Sequence, residues 1–193
     1  MHDRWTNQID AITNDFKESL GMLTLEQLNW RPFANSWSIG QNLDHLIVIN
    51  GTYYPVIKAV RSGTYQLPII AKLDFMVSFL GRTVLKAVQP DRRKKIKTFP
   101  IWEPTTSDIK PDIWERFEKH QSELKMMIQS SSDLLDNGTV ISSPANRYIV
   151  YKLETAFDII VSHERRHFEQ SMEIEEIRKA EQTNSSLHAH NKK

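Results

Sequence analysis

The C-terminal part of the chain carries an apolar stripe in helical phase, interrupted by two histidines. Leu153, Ala156, Ile160, His163, His167, Gln170, Ile174 and Ile177 follow one another in alternating steps of three and four. Such a stripe is one buried face of a long helix, running from about Tyr151 to Ala180. Three other segments repeat the pattern. Trp5, Ile9, Ile12, Phe16 and Leu20 mark the first, with Gly21 as its stop. The second starts at Ser38, which stands three residues before Gln41 in capping-box spacing, with Trp37 packing at the helix entry. Ile39, Leu43, Leu46, Ile47, Tyr53 and Ile57 carry it to Gly63, with a bend expected at Pro55. The third starts near Pro111, shows Ile113, Phe117, Leu124 and Met127 along one seam, and leads to a turn at Asn137-Gly138. No segment upstream of the last helix reads as a convincing strand. Four long amphipathic helices joined by loops predict an all-α four-helix bundle, with an additional short helix within residues 70–89. One domain is expected over residues 1–180, followed by a mobile tail at 181–193.

Composition narrows the chemistry. A chain of 193 residues can bury a core without disulfides or a structural metal. It contains no cysteine, so thiolate metal sites and cysteine nucleophiles are excluded. Lys plus Arg number 25 and Asp plus Glu 24, which gives no electrostatic case for nucleic acid or an anionic membrane as partner. The basic run Arg92, Arg93, Lys94, Lys95 and Lys97 reads as a solvated loop. No run of about 18 apolar residues and no signal core occurs, so a cytoplasmic protein is expected.

The histidines carry the functional signal. Residues four apart on a helix lie one turn above each other, about 5–6 Å between Cβ atoms, so His163 and His167 can reach one ion. Spacing alone arises by chance too often to establish a site; burial of two imidazoles on the seam is what strengthens it, because unpartnered they are costly there. The competing explanation is a pair of core histidines hydrogen-bonded to their neighbours. His45, mid-helix in Gln41-Asn42-Leu43-Asp44-His45-Leu46, offers a third ligand from a second helix. Three protein ligands leave a position open for water or substrate, and imidazoles suit zinc, nickel or iron.

These segments resemble a known family. Trp37-Ser38-Ile39-Gly40-Gln41-Asn42-Leu43-Asp44-His45-Leu46 is similar to the first metal-ligand segment of the DinB-like family, and His163-Glu164-Arg165-Arg166-His167-Phe168-Glu169-Gln170 to its second. The Lys95-Ile96-Lys97-Thr98-Phe99-Pro100 loop and the helix from Ile113 to Ile128 agree in order and spacing, so the likeness covers roughly Trp5 to Arg178. It implies a bundle with a three-histidine divalent-metal site made by His45, His163 and His167. It further implies a metal-dependent thiol transferase or hydrolase acting on a small molecule, with a low-molecular-weight thiol such as bacillithiol or mycothiol as cosubstrate. The absence of cysteine agrees with a sulfur supplied from outside. The alternative is a non-catalytic metal-binding or stress-response bundle. One departure stands out: Ser143-Pro144-Ala145-Asn146-Arg147-Tyr148 lacks the glycine that relatives often have in this turn, so substrate identity does not carry over.

A rival motif overlaps the same helix. His163-Glu164-Arg165-Arg166-His167 also satisfies H-E-x-x-H, in which the glutamate is a general base. The two arginines and the absence of a role for His45 argue against that metalloprotease scheme. Glu164 is expected beside the site or on the adjoining helix face, and Gln170 either orients a ligand or makes a helix–helix hydrogen bond. His120 is a candidate fourth ligand outside the resemblance, while His188 and His190 fall in the tail. Trp30, Trp37, Trp102 and Trp114 read as packing residues, Trp102 as the one that lines a pocket. The apolar run Phe75, Met76, Val77, Phe79 and Leu80 points to a homodimer through residues 70–89.

Overall fold

The computed structural model describes residues 3–90, 99–104 and 108–190, the side chains of 185–190 excepted. The basic run at 92–97 lies outside the described residues. Helix α1 (Asp3–Leu20) buries Trp5, Ile9, Ile12, Phe16 and Leu20, the face read from the sequence. A short α2 (Leu25–Asn29) follows, started by a Thr24–Gln27 capping box. Helix α3 (Ile39–Gly51) starts at the expected Ser38–Gln41 capping box, with both reciprocal bonds at 3.1 Å.

The expected bend at Pro55 is instead a break. The helix ends at Gly51, Thr52 stands between, and α4 (Tyr53–Arg61) resumes. Proline has no N–H to offer the carbonyl four residues back, and its ring crowds that carbonyl. Gly51 is that residue, so the interruption falls upstream of the proline itself.

Helix α5 (Asp74–Val88) is the additional helix, and α6 (Ile113–Gln129), the short α7 (Ser132–Asp136) and α8 (Leu153–His190) complete the set. Helices α1 and α3 each lie against both α6 and α8, which makes those four the bundle; α5 packs outside it, on α8. Aromatic side chains knit the middle: Phe16 meets Phe117 and Phe168 edge-on at 5.3 and 5.1 Å between ring centres.

Two expectations need correction. A β-hairpin, β1 (Val140–Ser143) and β2 (Asn146–Lys152), precedes α8 and packs against α5. Tyr151, expected at the start of the last helix, belongs to its second strand. The run Tyr148-Ile149-Val150-Tyr151 is β-branched and aromatic, the composition that suits a pleated, half-buried surface. Pro144 and Ala145 form its two-residue connection, with a register irregularity between Ser142 and Ser143. No described non-glycine residue has positive φ, so this turn needs no glycine, which accounts for the missing one. The second correction concerns α8, which continues past Ala180 to His190. Its buried face also drifts from the heptad-like seam: Ser171, Glu175 and Arg178 are buried, whereas Ile177 is 37% exposed. A straight helix turns every 3.6 residues, so a stripe drawn at 3.5 slips sideways over several turns.

Candidate metal centre

Helix α8 delivers His163 and His167 one turn apart, and α3 delivers His45 from across the bundle. One ring nitrogen from each lies within 4.8 Å of the others. Among the described residues these three form the one such cluster. The Nε2 atoms of His163 and His167 are 3.1 Å apart. Zinc–nitrogen bonds of about 2.0–2.1 Å at angles between 90° and tetrahedral require a nitrogen separation of roughly 3 Å, so the pair is spaced for a shared ion.

The hydrogen bonds around the rings decide which nitrogens face the centre. His45 Nδ1 lies 2.6 Å from the Trp102 carbonyl, which can only accept, so that nitrogen carries the proton and Nε2 keeps its lone pair. His167 Nδ1 lies 2.6 Å from Asn42 Oδ1. The amide orientation is fixed independently, because Asn42 Nδ2 donates to the Ser38 carbonyl at 3.0 Å. Asn42 therefore accepts from His167, whose Nε2 is also left as a lone pair. Ligating histidines held this way by an outer partner are the usual pattern of protein metal sites. Without an ion, two such lone pairs directed at one small volume would be satisfied only in part.

Burial sharpens that argument. Removal from water pushes the His45 imidazolium down to about 4, and it holds His163 and His167 well below the ordinary histidine value, helped by the other rings and Arg166. All three imidazoles are thus neutral at neutral pH, the form that can donate a lone pair to a metal. Trp37 closes one side: its ring stacks on His167 at 5.9 Å and meets His45 at 4.8 Å. The sequence marks this tryptophan as a packing residue, and it packs on His45 and His167 themselves.

Glu164, His120 and Gln170 stand outside the cluster. Glu164 is fully buried on the adjoining face of α8, where Asn50 Nδ2 and Gln121 Nε2 donate to its two oxygens at 2.8 and 3.0 Å. Desolvation raises its carboxyl to about 7. With both oxygens engaged by the neighbouring helices, it is ill placed to take a proton from a group at the three histidines. His120 is buried elsewhere in the core, its Nδ1 3.5 Å from the Tyr54 hydroxyl. Gln170 is half-buried; Asn42 and the Trp102 carbonyl orient His167 and His45. The side chains of His188 and His190 are outside the described residues. The two arginines of the H-E-R-R-H segment reach outward, Arg165 to Asp15 on α1 at 2.5 Å and Arg166 to the Ala87 carbonyl at the end of α5 at 3.0 Å.

A cavity of about 80 Å³ adjoins this cluster, and both His163 and Trp102 line it. Trp102 thus occupies the pocket-lining position expected from its place between two prolines. Asn42 has no such local signal, because its bond to His167 joins residues 125 apart in the chain.

A helical bundle with three imidazoles converging from two helices defines a class: all-α proteins whose core can hold a divalent metal through histidine. The chain belongs to the DinB superfamily, whose family model matches residues 8–171, a span that contains all three histidines. No curated protein and no solved structure matches it significantly. Among the described residues, no helix is long and apolar enough to cross a membrane.

Proposed function

We propose that this protein is a metal-dependent enzyme, a thiol transferase or hydrolase acting on a small molecule, with zinc, nickel or iron bound by His45, His163 and His167. The observation that carries the reading is the tautomer pattern: Asn42 and the Trp102 carbonyl hold two of the three rings with Nε2 unprotonated, in a cluster whose ring nitrogens lie within 4.8 Å of one another beside a cavity. A divalent ion held there would supply Lewis acidity, the chemistry that makes a water or a thiol nucleophilic at neutral pH. The chain does the rest. The neutral imidazoles leave the ion's positive charge uncompensated, Trp37 screens the ligands on one side, and the cavity beside His163 receives the electrophile. With no cysteine in the chain, a sulfur nucleophile has to come from a low-molecular-weight thiol.

The test is elemental analysis of the purified protein and of His45→Ala, His163→Ala and His167→Ala, with circular dichroism on each. About one divalent ion per chain is expected in the parent, and a sharp loss in each variant while helicity stays. A parent without metal, or variants that retain it, refutes the reading. Chelator-sensitive consumption of a thiol in the presence of an alkyl halide or epoxide then separates an enzyme from a metal-binding bundle without catalysis.

A further inference from the structure

Helix α5 packs on α8 and the hairpin from outside the bundle, and its two sides differ in chemistry. On the inner side Val77 and Gly81 are buried, and Val84 and Val88 line the cavity beside His163. Gly81 permits the close approach: a Cβ there would stand 3.0 Å from Tyr151 Cβ and 3.1 Å from the Thr155 side chain. On the outer side Phe75, Phe79, Arg82 and Lys86 follow in steps of four, three and four, one stripe in helical phase, and all four are exposed. Leu67, Ile69 and Leu73, in the lead-in to α5, are exposed as well. Together with the two phenylalanines, their exposed fractions amount to about three whole side chains. At ~200 Å² each, that is roughly 600 Å² of apolar surface, the upper end of what a monomer leaves bare.

The order of the stripe selects what covers it. Its N-terminal half is aromatic and its C-terminal half basic, so it complements the same stripe turned end for end. We propose that two copies of this chain associate through α5, antiparallel about a two-fold axis that passes between Phe79 and Arg82. Phe79 then lies under the guanidinium of the partner subunit's Arg82, a cation–π contact, and Phe75 under the stem of the partner subunit's Lys86. Asp74, exposed beside Phe75, meets the same basic end. Two-fold symmetry makes each contact twice. A parallel pairing would instead set Arg82 against Arg82 and Lys86 against Lys86. The stems of the two basic residues bring the covered surface towards the ~800 Å² per partner of a standard interface. Helix α5, held to its own bundle on one side, gains a support on the other, so the assembly braces one wall of the cavity beside His163 in each copy. The interface does not depend on the metal reading.

The experiment is sedimentation equilibrium on the full chain at micromolar concentration, with circular dichroism on each variant. The parent should give twice the 22.5 kDa chain mass. Phe79→Arg places a second arginine opposite the partner subunit's Arg82 and should weaken association about 100-fold or more, because symmetry repeats the clash. Phe79→Arg combined with Arg82→Phe exchanges the two halves of the pair and should restore association to within about tenfold of the parent. Both side chains are exposed in the single chain, so neither change disturbs the core. A monomeric parent overturns the proposal, and one that instead sediments with anionic phospholipid vesicles assigns the stripe to a lipid surface. A Phe79→Arg protein that stays dimeric overturns it by putting the interface elsewhere. An exchange variant that stays monomeric overturns the antiparallel register.

Discussion

Asn42→Ala removes a side chain that touches no substrate, and it should nevertheless cost metal affinity. Asn42 is 2% exposed and holds His167 in the tautomer that leaves Nε2 unprotonated. Its own orientation is set by the bond from Nδ2 to the Ser38 carbonyl, which also accepts from the Asn42 backbone N–H at 3.1 Å and so stays satisfied in the variant. The loss therefore falls on His167. Its buried Nδ1–H is orphaned at about 1–3 kcal/mol, and the ring is free to turn or to move its proton to Nε2, which must then be given up before binding. Outer partners of this kind are typically worth 10–100-fold in metal affinity, or about 1.4–2.7 kcal/mol. Zinc affinity measured by competition against a chromophoric chelator should fall by that factor. Asn42→Asp keeps an acceptor for Nδ1–H and should recover affinity to within about threefold of the parent, even if burial of the carboxylate lowers stability. An Asn42→Ala protein that binds zinc within twofold of the parent would refute the tautomer argument.

Three further predictions test neighbouring parts of the structure. Glu164→Gln should keep a full complement of zinc and lose about 1–3 kcal/mol of stability in urea, since its new NH2 must face one of the two amide donors from Asn50 and Gln121; metal-dependent peptide cleavage in the parent that disappears in this variant would restore the H-E-x-x-H protease reading. His120, held down to about 4 from 6.5 by burial, stays neutral in the native state, so its contribution is present above pH 6.5 and lost as pH falls towards 4. Urea titrations in the presence of chelator should show His120→Leu escaping about 3 kcal/mol of that acid loss; parallel pH profiles for parent and variant would contradict it. On α5, Phe75 and Phe79 lie one turn apart and are 68% and 57% exposed, a patch that a homodimer would cover. Light scattering at micromolar concentration that returns the 22.5 kDa monomer mass rules that dimer out.

The sequence by itself determined whatever is written in local periodicity. The buried face of α1, the Ser38–Gln41 cap, the turn before the hairpin, where Gly138 has φ +62°, and the two histidines on α8 all follow from spacings of a few residues. So did the candidacy of His45, an imidazole in the middle of an apolar helix. Tertiary structure alone decided what those histidines face. The carbonyl that fixes His45 comes from Trp102, 57 residues away, and the amide that fixes His167 comes from Asn42 on a different helix. It also put Glu164 fully inside the core, one residue past His163, because amide donors on α3 and α6 were there to receive it. The hairpin escaped for a related reason: its strands run straight into α8, and the helical stripe beginning at Leu153 drew Tyr151 into the wrong element. Helical phase is a property of one segment, set by the backbone's own hydrogen bonds. Tautomer, burial of a carboxyl and the shape of a cavity are properties of several segments at once, and they exist only when packing has brought those segments together.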